Sequence, residues 1–280
     1  MSRLKKALDK AKETRSTSDE DVAGRTPNPP QREKTEPPPP ETLDRCEINP
    51  TCETTPIVDV DPDTLRKNKI ISLFHDKEMT DQIKLLRVQI LRRMEQLSGN
   101  TLLITSAKPR EGKTFTAINL GISIAQEMDR TVLLVDADLK HPSMQHSDFA
   151  SDFFSVNAQK GLSDYLLGQA EIPDLLLNPG IPKLTILPGG GPLSNSAELL
   201  GSPRMEMLVK EVKQRYPERF IIFDSSSVLI SADPLVFSRF VDGVLLVVEA
   251  EKTSKKELGR ALELLKDRPI VGTLFNKSKG

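Results

Sequence analysis

Residues 101–114, TLLITSAKPREGKT, join a short apolar run to a loop that ends Gly112-Lys113-Thr114, and a helical apolar pattern follows. A strand that hands its chain to a helix through such a loop has few folding solutions. The loop's N–H groups and the helix N-terminus gather partial positive charge in one place, which makes a cradle for a polyphosphate. Lys113 adds a full charge at the outer phosphates, and the Thr114 hydroxyl stands where a Mg²⁺ ligand is needed. The spacing satisfies G-x-x-x-x-G-K-[ST] except at its first position, which is Ala107. That methyl is small, although it disfavours positive φ. A chance Gly-Lys-Thr in a surface loop is the alternative, and the order strand, loop, helix argues against it. Lys108, Pro109, Arg110, Glu111, Gly112, Lys113, Thr114 and Phe115 are therefore the candidate nucleotide contacts.

The rest of the chain repeats the alternation. The pattern predicts strands over 101–106, 131–136, 184–188, 219–224, 243–249 and 270–275. Helices are expected over 113–128, 196–215, 234–240 and 254–267, with helical segments in 161–177. Runs such as Thr131-Val-Leu-Leu-Val135 and Phe220-Ile-Ile-Phe223 are nearly continuous and apolar, as expected of parallel strands covered on both faces. Ser254 followed by Glu257 fits a capping box for the last helix. The expected fold class is α/β, a doubly wound, mostly parallel sheet occupying residues 63–280. Such a sheet binds ligands at the carboxyl ends of its strands, where the loop before Lys113 also lies.

Acids appear at two of those ends. Asp136-Ala-Asp138 closes one apolar strand and Asp224-Ser-Ser-Ser227 closes another. Mg²⁺ is held by one or two carboxylates, waters and substrate phosphates, so acids here suit the lysine loop. Asp224 is expected to hold the metal, directly or through water, while Asp136 or Asp138 binds metal or accepts a proton from an attacking hydroxyl. Helix capping is the other job open to these aspartates. His141 reads as a loop residue. Lys140 reads as a phosphate contact or a solvated side chain, and Gly189-Gly190-Gly191 as a flexible turn.

Residues 1–15 carry Leu4, Ala7, Leu8 and Ala11 at amphipathic helical spacing among lysines, which fits a short docking helix or a frayed tail. Ten of the 21 prolines fall in 16–62, so that stretch reads as an extended, disordered linker. Cys46 and Cys52, both inside it, read as unpaired thiols rather than a zinc site. A formal charge of -1 argues against a general grip on nucleic acid. No apolar run approaches the ~20 residues of a bilayer-spanning helix, and the N-terminus lacks the apolar core of a secretion signal. A cytoplasmic location follows, with any membrane association made through a partner or a surface helix.

Taken together, TSAKPREGKTFTAINL, RTVLLVDADLKHPSM and FIIFDSSS resemble the Walker A, Walker A′ and Walker B segments of bacterial tyrosine kinases, the kinases of exopolysaccharide and capsule synthesis. The likeness covers about residues 70–277 and is closest to the exosortase-associated autokinases, within the deviant-Walker P-loop class of MinD and ParA. It implies binding of ATP and Mg²⁺, phosphoryl transfer to protein tyrosine, and ring-like self-association on a membrane-bound polysaccharide co-polymerase or activator at the inner face of the plasma membrane. By position, Lys113 and Thr114 match the phosphate and magnesium residues, Asp136 and Asp138 the Walker A′ acids, and Asp224 the Walker B acid. The catalytic set implied is Lys113, Asp136 and Asp138; the metal set is Thr114, Asp136 and Asp224. Asn276 matches the residue that reads the adenine edge. Asp81, Lys84 and Arg87 stand where the family carries an E-x-x-R-x-x-R helix for subunit contacts.

Several positions depart from that pattern. The family's tyrosine-rich tail has no counterpart in this sequence, whose tyrosines are Tyr165 and Tyr216, so transfer to tyrosine is expected to be weakened or to act in trans. Ser225, Ser226 and Ser227 replace a Ser/Thr-Pro-Pro continuation, and Arg110 replaces a glycine. Lys108 stands at the signature lysine of the MinD/ParA class, which keeps a hydrolytic ATPase switch open as a reading. A non-catalytic, nucleotide-sensing regulator of polysaccharide assembly is the third.

Overall fold

The computed structural model describes residues 70–73, 77–140, 160–216 and 218–278. The expected helix at 1–15, the linker at 16–62, Cys46, Cys52 and His141 lie outside the described residues. Helix α1 (Lys77–Gln96) precedes strand β1 (Thr101–Ser106), and α2 (Lys113–Ala125) leads to β2 (Thr131–Asp136). Then come α3 (Leu162–Leu166), a 3-10 turn at Ile172–Leu175, β3 (Leu184–Leu187), α4 (Ser196–Leu200), α5 (Pro203–Arg215) and β4 (Arg219–Ser227). The order closes with α6 (Asp233–Phe237), β5 (Gly243–Glu249), α7 (Lys255–Leu264) and β6 (Ile270–Asn276).

The six strands form one sheet in the order β3-β2-β4-β1-β5-β6, and every neighbouring pair is parallel. Strand alternation divides the apolar side chains between two cores. Leu102, Ile104, Val132, Leu134, Phe220 and Ile222 face α1 and α2. Leu103, Leu133, Val135, Ile221 and Phe223 face the layer built from α3, α5, α6 and α7. This is the three-layer, doubly wound α/β arrangement. The alternation also aims the acids: Asp136 and Asp224 continue the rows that face α2, and they stand opposite each other in register.

The element ends differ from the sequence expectation for local reasons. The helix expected to reach residue 128 stops at Ala125, and Met128 is 95% exposed, so no burial drives another turn. The span 196–215 is two helices, because Ser202 caps a new one through Met205 N–H (3.3 Å) with Pro203 at its first position. Pro188 follows the last residue of β3. Strand β4 runs through Ser227, where its polar residues are held to β1: Thr105 Oγ1 donates to the Ser226 carbonyl (2.7 Å) and Ser106 and Ser227 hydroxyls pair at 2.9 Å. The register slips between Ile104 and Ser106, so β4 carries a bulge directly after Asp224. Around Gly190 the glycine turn is packed rather than open. Leu162 and Ser163 N–H groups donate to the Pro188 and Gly189 carbonyls (2.7 and 2.9 Å), and a side chain at Gly161 would strike that backbone.

Candidate active site

Strand β1 is buried along its whole length and delivers the chain to the loop at the carboxyl edge of the sheet. Ala107, at the position of the missing glycine, is absent from the residues with positive φ, so its methyl costs nothing there. The left-handed conformation falls instead on Arg110 (φ 65) and on Gly112 (φ 98), the N-cap of α2. Glycine takes that conformation freely and arginine does not. Glu111, only 1% exposed, staples the loop: its carboxylate accepts the Lys108 N–H (2.8 Å) and the Thr253 hydroxyl.

Lys113 and Thr114 open α2 and point toward the acids. Lys113 Nζ lies 3.3 Å from Asp138 Oδ2, and the Thr114 hydroxyl donates to Asp224 Oδ2 at 2.6 Å. Asp138 N–H donates to Asp136 Oδ1 (3.1 Å), and Ala137 N–H to the Asp224 carbonyl (2.7 Å), which ties the two strand ends together. Burial pushes the Lys113 pKa down, but Asp224, Asp138 and Asp136 outweigh it, and the ammonium is held above the ordinary lysine value. One lysine among three buried carboxylates leaves the cluster acid-rich.

The donors fit magnesium. Thr114, Asp224 and Asp136 present oxygen ligands, the set that suits a hard divalent ion. Asp138 Oδ1 and the hydroxyls of Ser225 and Ser226 are buried without a hydrogen-bond partner among the described residues. Such atoms at a strand end point to a bound group that satisfies them.

Other candidates are placed differently. Lys108 Nζ pairs with Glu257 Oε1 on α7 at 2.9 Å. Pro109 and Arg110 are exposed, while Phe115 packs at the margin of the core beneath the loop. Asn276 Nδ2 donates to the Glu111 carbonyl (2.9 Å) and Lys277 Nζ to the Arg110 carbonyl (2.6 Å). Lys140, whose side chain is part-exposed, bonds Ser231 Oγ (3.1 Å) and lies 3.7 Å from the buried Asp233. On α1, Arg87 donates to the Ser123 carbonyl (2.8 Å) and pairs with Glu127 (2.8 Å), while Lys84 pairs with Asp81 (3.5 Å). The loop-holding roles of Glu111, Asn276 and Lys277 were missed from sequence. Their contacts span 142 to 167 residues, a separation that no local pattern reports.

No protein-family model matches the chain. Among curated proteins it is 31% identical over 225 residues to tyrosine-protein kinase YwqD of Bacillus subtilis, covering 77% of this chain and 91% of that one. It is 30% identical over 198 residues to tyrosine-protein kinase etk of Escherichia coli, covering 70% of this chain but only 26% of the longer protein. Among solved structures, the kinase domain of Escherichia coli ETK superposes with a TM-score of 0.67 at 25% identity, over 80% of this chain and 91% of that chain. The cell division ATPase MinD of Pyrococcus furiosus matches in fold at a TM-score of 0.53 and 22% identity, over 65% of this chain and 74% of that one. With the loop, the acid cluster and the sheet order already in place, these likenesses settle the family: the chain belongs to the bacterial tyrosine-protein kinases.

Proposed function

We propose that the protein transfers the γ-phosphoryl group of ATP to a protein tyrosine in exopolysaccharide or capsule synthesis. The observation that carries this reading is the convergence of Lys113, Thr114, Asp138, Asp136 and Asp224 at one end of the sheet. The loop N–H groups and Lys113 bind and orient the phosphates. Thr114, Asp224 and Asp136 would hold magnesium, which supplies charge neutralisation at the β- and γ-phosphates when bound. Asp138 uses one oxygen to place Lys113, and its second oxygen, Oδ1, accepts the proton of the attacking tyrosine hydroxyl. The pyrophosphate linkage to the γ-phosphorus breaks and ADP leaves.

The phosphoacceptor is a tyrosine supplied in trans. Tyr165 is 7% exposed under the Arg204 guanidinium, whose centre is 4.5 Å from its ring, and Tyr216 is half-buried with the Arg219 guanidinium centre 4.1 Å from its ring, so a separate chain is the better donor of a hydroxyl. No helix among the described residues is long and apolar enough to cross a membrane. In this reading the kinase works at the inner face of the plasma membrane by docking on a membrane-bound co-polymerase, and copies associate through α1, where Leu85 and Val88 are 59% and 55% exposed. Labelled ATP, Mg²⁺ and a tyrosine-rich peptide test the activity. Lys113→Met should lower transfer by about 10²–10³-fold, the usual cost of removing a transition-state charge contact. Equal labelling by both proteins removes the kinase assignment.

A further inference from the structure

Arg110 occupies a left-handed conformation at the tip of the phosphate loop, φ 65, and its side chain is exposed. Something other than its own preference must hold it there. Two contacts from one short segment do so. Lys277 Nζ donates to the Arg110 carbonyl at 2.6 Å, and Asn276 Nδ2 donates to the Glu111 carbonyl at 2.9 Å. Lys277 is itself anchored, 3.3 Å from Glu249 Oε2 at the end of β5, and the Ala250 N–H bonds the Asn276 carbonyl at 2.8 Å. The segment also sits so close that any side chain at Gly112 would strike the Asn276 amide.

A trans peptide unit points its carbonyl and its N–H in opposite directions. Fixing the Arg110 carbonyl therefore fixes the Glu111 N–H, and fixing the Glu111 carbonyl fixes the Gly112 N–H. Neither N–H has an acceptor among the described residues. Successive N–H groups around a left-handed residue form the concave nest that binds anions. We infer that Lys277 and Asn276 are positioning residues for phosphate binding: Lys277 turns the Glu111 N–H into the cradle and holds Arg110 in a conformation that a glycine would take unaided, and Asn276 turns in the Gly112 N–H. The inference rests on the ATP reading above for its functional consequence, and on the loop geometry alone for its structural one.

The two are tested separately. In the nucleotide-free protein, Lys277→Ala should shift the amide resonance of Glu111 more than that of Gly112, which Asn276 still holds, and Lys277→Arg should leave both near their original positions. Unmoved resonances in the alanine variant overturn the clamp whatever the protein binds. In a titration with a fluorescent ATP analogue, Lys277→Ala should weaken affinity by about tenfold, equal to about 1.4 kcal/mol, and raise KM with kcat little changed. Lys277→Arg should stay within about threefold of the parent. The same alanine change placed on Arg110→Gly should cost less than threefold, because glycine adopts positive φ without support. An equal loss in both backgrounds overturns the positioning role and leaves only the attraction of a nearby charge. A parent protein that retains no analogue, alongside shifted amides, defeats the ATP reading but not the clamp.

Discussion

The two ends of the sheet use the same residue types in opposite ways. At the amino ends of β1 and β5, Asp242 has both oxygens occupied: Oδ2 accepts from Asn100 N–H (3.0 Å), Thr101 N–H (3.1 Å) and the Thr101 hydroxyl (2.7 Å), while Oδ1 pairs with Lys213. At the carboxyl ends, Asp138 has one oxygen on Lys113 and the other buried with no hydrogen-bond partner among the described residues, and on β4 the hydroxyls of Ser225 and Ser226 are likewise buried and unpartnered there. A saturated carboxylate serves the fold, since every lone pair it offers is spent inside the chain. A carboxylate with a buried oxygen left over carries a desolvation cost that a bound group can offset. Between Asp242 and Asp138 the difference is satisfaction more than burial.

The largest expected effect comes from removing the charge where satisfaction is incomplete. Asp138→Asn should lower kcat for tyrosine phosphorylation by about 10²–10⁴-fold, the span of lost general-base catalysis. Its stability in a urea titration should hold or rise, because Asp136 and Asp224 still flank Lys113 and one source of like-charge repulsion has gone. A fall of several kcal/mol in stability with unchanged kcat would move Asp138 into the structural class.

The mirror experiment acts at the other end. Asp242→Asn removes the acceptor of several charge-assisted hydrogen bonds and should cost about 2–4 kcal/mol of unfolding free energy, with kcat per folded molecule within twofold of the parent. Burial pushes the Asp242 carboxyl up, but its bonds from Lys213, Thr101 and Asn100 hold it below the ordinary 3.8. A depressed carboxyl contributes stability that is complete above the ordinary value and is lost as pH falls through the folded one. The asparagine variant should lack that part of the acid sensitivity. A loss of activity without a loss of stability would break the contrast between the two ends.

The contrast also marks what the sequence made legible. The strands along the chain and the places of the lysine loop and the three acids are legible locally, because continuous apolar runs, a Gly-Lys-Thr at a helix start and aspartates at strand ends each mark their own position. The break at Gly201-Ser202-Pro203 carried a helix-start signal that the longer apolar periodicity concealed. The polar end of β4 could not be read from Ser225-Ser226-Ser227, since its strand character comes from hydrogen bonds to β1 over a separation of 121 residues. Arg110 was visible as a departure, but its left-handed φ and the hold from Lys277 are tertiary facts. From sequence Lys140 reads as a phosphate contact or a solvated side chain, because Asp233 and Ser231, its partners, lie about ninety residues away.

The smallest expected effect lies between the two classes. Glu257 is satisfied, yet it sits on the working side of the molecule: it closes the capping box of α7 with Ser254 and takes Lys108 from the phosphate loop at 2.9 Å. The hydrogen bond from Lys108 comes first and those from Ser254 second in pulling its carboxyl down to about 2. Since the folded value lies below the ordinary 4.5, any stability this group adds is present above that value and disappears as pH falls toward 2. Solvent screens the half-exposed pair, so the change belongs in a carboxyl-carbon NMR titration rather than in a melting curve. The Glu257 midpoint should fall near 2 in the parent and move up in Lys108→Ala, stopping short of 4.5 because Ser254 still donates. An unchanged midpoint would show that the cap alone depresses Glu257, and that Lys108 is not held by α7 in solution.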